Sequence, residues 1–465
     1  MRRVIFYLVV VLFLGGCTNQ LDQIPLTNKE LSIFLRTEIE VEEYVNATYA
    51  ALQANGLYGL YLPAMGEIPS DNSFDEVPAN DGAIYGDLDE FKTIPTNGIL
   101  DDNWRMSYVA IQRCNVVLNR IEQVNFRVAA TKNARIGEMK FIRALLYFNL
   151  VRFYGEVPLV TQETSDPNVF FGQGRTAVSE VYTQIIKDLT ESAAVLPTTT
   201  TQAGRVIKTA AQALLGKVYL TQKEYVKAKT ELGAVISSNV HLLLPNTADV
   251  FALTNENNRE VIFAVQFGSG INSNTEGSIM YQQFAPSNTV SGAKGHNLPT
   301  KELYAKYGAN DTRKANYVDI TANGTPYNNK LKRPTTVITD GGSDVVILRY
   351  ADVLLMQAEV ENELGNTATA QTLLNQVRTR AKLPNTTATT QAELRGAIDF
   401  ERRLELAGEG HRWLDLLRTG QAITVMNDWF KVQNVPITVT NKNLLFPIPQ
   451  KQIDTDPTIK QNAGY

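Results

Sequence analysis

The stretch Glu401–Gly420, ERRLELAGEGHRWLDLLRTG, crowds four carboxylates (Glu401, Glu405, Glu409, Asp415) and four guanidinium groups (Arg402, Arg403, Arg412, Arg418) around one of the chain's three histidines. A catalytic reading would take Glu409, His411 and Asp415 as acid, base and orienter. The simpler reading is a joint between two helices. Glu401 and Glu405 stand one turn apart on one helix face, flanked by Arg402 and Arg403. Gly408 and Gly410 break that helix, and His411 starts another. Leu404, Leu406, Trp413, Leu414 and Leu417 supply a buried side. Dense ion-pair networks commonly tie helices together, so the stretch predicts a helix corner whose charges bridge to neighbouring helices.

Working outward, most of the chain has helical periodicity. Amphipathic or apolar segments cover Val41–Ala54, Asp101–Glu122, Ala134–Tyr154 and Val178–Leu196. Ala134–Tyr154 is apolar nearly all round, which predicts a central buried helix. Ala213–Ile236 and Leu354–Pro384 resemble tetratricopeptide units. Gly216, Tyr219, Ala228 and Leu232 in the first, and Ala358, Ala370 and Leu374 in the second, fall where close helix crossing needs small and bulky residues in turn. Glu260–Gly270 is strand-like. Residues 55–100 and 268–345 lack helical periodicity and are rich in Gly, Asn, Asp and Pro or Ser, Thr and Tyr, which predicts two long irregular excursions. The expected fold is mainly α: a helical scaffold with tetratricopeptide-like pairs, long irregular loops and little β.

With 465 residues, 44% of them hydrophobic, the chain can bury one large core or two to three ordinary ones. A formal charge of −4 and no basic run leave no footprint for nucleic acid. The N-terminus is basic (MRR), followed by the apolar run Val4–Leu14 and then Leu14-Gly15-Gly16-Cys17. The run is too short to span a bilayer and has the length of a signal-peptide core. Its ending looks like the lipobox of bacterial lipoproteins. Residues 1–16 are therefore expected to be a cleaved leader, Cys17 the lipidated residue, and 17–27 a tether. Only Cys114 then remains as a thiol, so no intramolecular disulfide is expected.

No nucleophile elbow, dinucleotide fingerprint, phosphate loop or zinc-protease motif is present in the sequence. His241, His296 and His411 lie far apart, and no helix carries two of them at ligand spacing, so neither a metal nor another cofactor is expected.

The corner resembles the signature of the SusD/RagB family, with Glu401, Arg402, Arg403, Glu405, Leu406, Glu409, Gly410, Arg412, Asp415, Leu416 and Arg418 at matching places. The ending FPIPQKQIDTDPTIKQNAGY is also similar, departing at Asp456, where Asn is common, and at Ala463, where Pro is common. Leu348–Glu359 and Phe141–Val160 look like the family too. The resemblance implies a helical fold with an N-terminal region over 28–240 and a C-terminal region over 260–465, forming one compact unit. It implies a lipid-anchored protein of the outer membrane that binds glycan, or peptide in some branches. It also implies a partner, a SusC-like TonB-dependent β-barrel transporter to which the ligand is passed. It implies a binding protein rather than an enzyme, the competing class being a secreted glycosidase. A signature common to members with different ligands belongs to the scaffold, so the ligand is expected at the loops. The aromatic candidates are Tyr58, Tyr61, Phe74 and Tyr85 in the first excursion and Tyr281, Phe284, Tyr317 and Tyr327 in the second. Asp71, Asn72, Asn80 and Asp81 are the polar ones. Asp71, Asn72, Tyr85, Tyr281, Phe284 and Tyr327 form the expected site. Trp104 and Trp413 read as structural, leaving Trp429 spare.

Overall fold

The computed structural model describes residues 34–465 apart from Pro167 and Thr336. Helices carry 52% of it and strands 6%, so the mainly α expectation holds. Helix α1 (Glu38–Ala51) starts at Thr37, whose hydroxyl accepts the Glu40 N–H while the Glu40 carboxylate accepts the Thr37 N–H. This capping box satisfies two backbone donors that a helix start otherwise leaves unpaired. Helices α2 (Gly98–Arg120), α3 (Ala129–Tyr154) and α4 (Val178–Val195) then pack in succession. α3 is buried on nearly every side along its second half, as its composition predicts. Arg143, in its middle, is held there by Asp188 of α4 at 2.7 Å.

Helices α5 (Lys208–Thr221) and α6 (Tyr225–Ser237) form one hairpin, and α7 (Tyr350–Glu363) and α8 (Thr367–Arg380) form another. The small residues act as expected. A Cβ on Gly216 would stand 2.6 Å from Leu232 Cγ, so only glycine admits that crossing. Ala228, Ala358, Ala370 and Leu374 are fully buried. α6 packs on α7, which places the two hairpins side by side although more than a hundred residues separate them. Helix α9 (Gln391–Glu405), begun by a second capping box at Thr390, also packs on α7. After the corner come α10 (Arg412–Thr419), stopped by left-handed Gly420, and α11 (Ala422–Val432).

The strands are short and antiparallel. β1 (Ser73–Phe74) pairs with β3 (Leu298–Pro299), β2 (Val261–Val265) with β6 (Val345–Arg349), and β4 (Val318–Ile320) with β5 (Pro326–Asn328). The first pairing joins the two excursions, with Ser73 opposite Pro299 and Phe74 opposite Leu298.

The excursion over 55–100 differs from the expected surface loop. It contains the short helices Tyr61–Glu67 and Gly86–Asp89, and much of it is buried. Its glycines serve close packing rather than freedom. A Cβ on Gly66 would fall 2.1 Å from the Gly410 carbonyl oxygen. At the C-terminus, Asp456 accepts the Gly172 N–H at 2.8 Å and the Thr458 hydroxyl, so the departure from Asn there keeps an acceptor in place.

Candidate functional site

Between α9 and α10 the chain turns through Gly408 (φ 77°) and Gly410 (φ 78°), backbone settings that favour glycine. The turn exposes the N–H groups of Gly408, Gly410 and His411, and the buried carboxylate of Glu67 accepts all three at 3.0–3.2 Å. Burial pushes the Glu67 carboxyl up, partly countered by the Gly408 N–H and the Asn72 amide.

Around this turn the eight charged side chains find partners on distant elements. Glu405 is fully buried and meets Arg349 at 2.6 Å, Arg313 at 3.0 Å and Arg380. Burial alone would raise its pKa, but Arg380, Arg349 and Arg313 outweigh that and hold it well below the ordinary value. Glu401 lies 2.7 Å from Arg313 and 2.9 Å from Arg378. Its contact with Arg313 is a close ion pair without an aligned N–H. Glu409 meets Lys330 at 2.6 Å and Arg349 at 2.8 Å. Against the cost of burial, these two cations hold it at about 2. Arg402 bridges Asp352 (2.7 Å) and Asp415 (3.1 Å), and Arg418 meets Asp415 at 2.7 Å. Arg403 and Arg412 both bond Asp71, at 3.1 and 2.8 Å. Glu409, His411 and Asp415 thus form no relay. His411 Nδ1 faces the Lys217 ammonium at 3.1 Å, and burial followed by Lys217 brings its pKa to about 3.

These shifts fix a pH response. The unfolded chain takes up protons on Glu405, Glu409, Asp352 and Asp415 near their ordinary 3.8–4.5, whereas the folded chain resists. Their stabilisation is complete above about pH 4.5 and is lost as pH falls toward 2. His241 and His411, lowered by burial to about 4 and about 3, also favour unfolding as pH drops below 6.5. Asp89 and Glu256 (about 7) and Asp344 (about 6), raised by burial, act the opposite way by binding protons first in the folded state. The expected urea midpoint therefore changes little between pH 7 and about 4.5 and falls steeply below. A midpoint that is flat from pH 4.5 to 3 contradicts the network's ionisation.

The second place of interest is the seam where the excursions meet. Beyond β1 and β3, the Glu76 N–H donates to the Gly295 carbonyl (2.9 Å) and the Ser287 N–H to the Glu76 carboxylate (2.8 Å). His296 is buried beneath it, with Nδ1 3.0 Å from Asp75 and Nε2 2.9 Å from Asp81. The Tyr85 ring stacks on it at 3.9 Å, and Tyr61 meets Tyr85 edge-on at 6.2 Å. Asp81 also pairs with Lys294 at 2.8 Å. Asp81, Gly82 and Ala83 form a left-handed run (φ 50°, 71°, 64°), as do Asn272, Ser273 and Asn274 in the other excursion (φ 47°, 61°, 65°). Such settings cost energy outside glycine and gather at ligand clamps. On the second excursion, half-exposed Tyr281 lies within electrostatic reach of Arg333, and of Tyr327, whose hydroxyl meets Asp319 at 3.0 Å. Burial and then Asp319 push the Tyr327 phenol up to about 12, so it stays a donor at neutral pH.

The expected ligand residues therefore separate. Asp71 and Asn72 are buried partners of the corner: Asp71 binds Arg403 and Arg412, and Asn72 binds Glu67 and Arg403. Tyr85 and Phe284 are enclosed at 2% and 4% exposure, too deep to act as a platform. Their expected contact with ligand is corrected on that ground. Tyr58 and Tyr317 are likewise buried, Tyr58 on Asn149 and Tyr317 on Glu405. Tyr281, Tyr327, Tyr61, Asn80 and Asp81 keep surface. Trp429 is not spare, since it packs on Phe430 at 5.1 Å. Cys17 lies outside the described residues. The sequence reading missed Glu67, Arg313, Lys330 and Arg380. Only Glu67 carried a signal, as a lone charge in the run LPAMGEIPS; Arg313, Lys330 and Arg380 stand among other charges.

Comparison with known proteins agrees with this fold. Residues 26–220 match the family described as starch-binding and associating with the outer membrane, and residues 307–465 match the SusD family. SusD-like protein P25 of Formosa agariphila is 26% identical across 100% of this chain and 99% of its own. SusD-like protein P38 of the same organism is 28% identical across 97% and 96%. A solved laminarin-binding SusD-like protein is 28% identical, with a TM-score of 0.79 over 92% of this chain and 100% of that one. With both ends matched and the fold between them shared, the chain belongs to the SusD/RagB family.

Proposed function

We propose that this chain is a cell-surface lipoprotein that binds oligosaccharide without cleaving it and passes it to a SusC-like TonB-dependent transporter. After removal of the leader 1–16, lipid on Cys17 anchors it to the outer membrane through the 17–27 tether. Tyr281 and Tyr327 offer aromatic faces to sugar rings, while Asp319, Arg333, Asp81 and Lys294 supply hydroxyl partners. Rings beside a few fixed polar groups are what a sugar site requires, and loops on a rigid scaffold commonly carry binding. The observation that carries the reading is the contrast between the two regions. The charged corner is paired within the protein, whereas the excursions keep the partly exposed rings of Tyr281 and Tyr327 and, on a left-handed tip, exposed Asp81. The laminarin-binding relative makes a β-glucan the first probe.

Incubated with laminarin and a panel of other oligosaccharides, the purified protein is expected to bind at least one and cut none. Turnover that survives repurification and disappears on changing one carboxylate would make it a glycosidase. Changing Cys17→Ala is expected to abolish labelling by a palmitate analogue and release the protein from the membrane fraction. Equal labelling of variant and wild type would refute the anchor.

A further inference from the structure

One cavity, partly open to solvent, has no part in the proposed binding surface. It lies where α3, α5, β6 and the corner converge, with a volume of ≈ 50 Å³, bordered by Tyr58, Asn149, Arg152, Lys217, Glu409 and His411 among others. On this measure one water needs roughly 10–15 Å³, so a few water-sized bodies fit.

The charges around it do not balance. Lys217, Arg402 and Arg418 are matched by Asp352, Asp415 and Glu359. Glu409 turns its oxygens to Lys330 and Arg349. Arg152 is left over. Its Nε donates to the Phe148 carbonyl (2.9 Å), one Nη to the Asn149 amide oxygen (2.6 Å), and its guanidinium sits 3.8 Å over the Phe148 ring. Among the described residues no carboxylate lies within ion-pair distance of it. Arg152 is half-buried, and a cation partly withdrawn from water without a counter-charge favours an anion beside it.

The remaining donors suit one kind of ligand. Lys217 donates to Asp352 and to His411 Nδ1. Nδ1 must then be the acceptor, which places the His411 proton on Nε2 as a further donor. The Tyr58 hydroxyl accepts from Asn149 and keeps its own hydrogen to give. Burial, followed for His411 by Lys217, lowers the pKa values of Arg152 (about 10) and His411 (about 3), in keeping with a site short of negative charge.

We infer that this cavity is a binding site for a small monovalent anion, a halide or a carboxylate group, held by Arg152 with Lys217, His411 and Tyr58 as neighbouring donors. The anion would supply the charge that Arg152 lacks and tie α3 to α5 and the corner.

The test is thermal melting of the full exported chain in sodium chloride, sodium formate or sodium gluconate at equal ionic strength, gluconate being too large to enter. A specific anion should raise the wild-type Tm by about 2 °C or more over gluconate once it exceeds its dissociation constant a hundredfold. Chloride and formate distinguish the halide from the carboxylate, and a rise with either supports the site. Arg152→Met should remove the rise, and Arg152→Lys should keep part of it. Should Arg152→Met not fold, broadening of the ³⁵Cl resonance by wild type, reversed by excess formate, gives a second readout. Equal melting of wild type in all three salts, or an anion response retained by Arg152→Met, would overturn the inference.

Discussion

Replacing Glu405 by glutamine is expected to lower the unfolding free energy by about 3–5 kcal/mol, the range for breaking a fully buried ion pair. The substitution keeps shape and removes one negative charge from the point where Arg313, Arg349 and Arg380 meet. Glu260, Glu401, Glu409 and Asp311 still serve those arginines, but each also serves one contact only or is shared. One guanidinium's worth of charge is left uncompensated in an interior that water cannot reach. The Arg395–Glu363 pair is the control, because its arginine is 53% exposed. Changing Arg395→Ala should cost less than about 1 kcal/mol, as surface pairs do. Urea midpoints of both variants against wild type decide the matter. A Glu405→Gln loss as small as the control's would mean that the corner is not what joins the helices.

The second large effect is on binding. Removing the Tyr281 and Tyr327 rings together is expected to weaken oligosaccharide affinity by about 1–2 kcal/mol per ring that stacks on sugar, or roughly 5–30-fold each. Both side chains keep solvent exposure, and Tyr327 gives up only its bond to half-exposed Asp319, so melting should change little. Titration calorimetry with the best-bound oligosaccharide checks the first part and calorimetric melting the second. Unchanged affinity would place the site elsewhere on the loops.

The scaffold was readable in the sequence because its signals are local. Gly216 opposite Leu232, the small residues of the two hairpins and the apolar run of α3 each dictate a packing that needs no distant information. The corner was readable as a joint for the same reason: spacing puts Glu401 and Glu405 on one face, and two glycines end the helix. The partners were not readable. Glu405 is served by residues 25 to 92 positions away, and Glu67 reaches the turn from over 340 positions away. The excursions failed for a different reason. Gly, Asn and Asp have the composition of loops, yet at Gly66 and Asn72 they mark close backbone approach and buried hydrogen bonding. Asp71 and Tyr85 therefore have the sequence context of surface residues although both are buried. Tyr281 and Tyr327 keep part of their surface.

On the proposed reading, the charged corner holds the fold while the seam of the excursions takes the ligand. The most direct measurement is melting temperature and oligosaccharide affinity on the same two proteins, Glu405→Gln and Tyr281→Ala/Tyr327→Ala. The first is expected to show a lowered melting temperature with near-wild-type affinity in its folded fraction, and the second unchanged melting with weakened affinity. Wild-type melting together with abolished binding in Glu405→Gln would contradict it and make the corner the binding site.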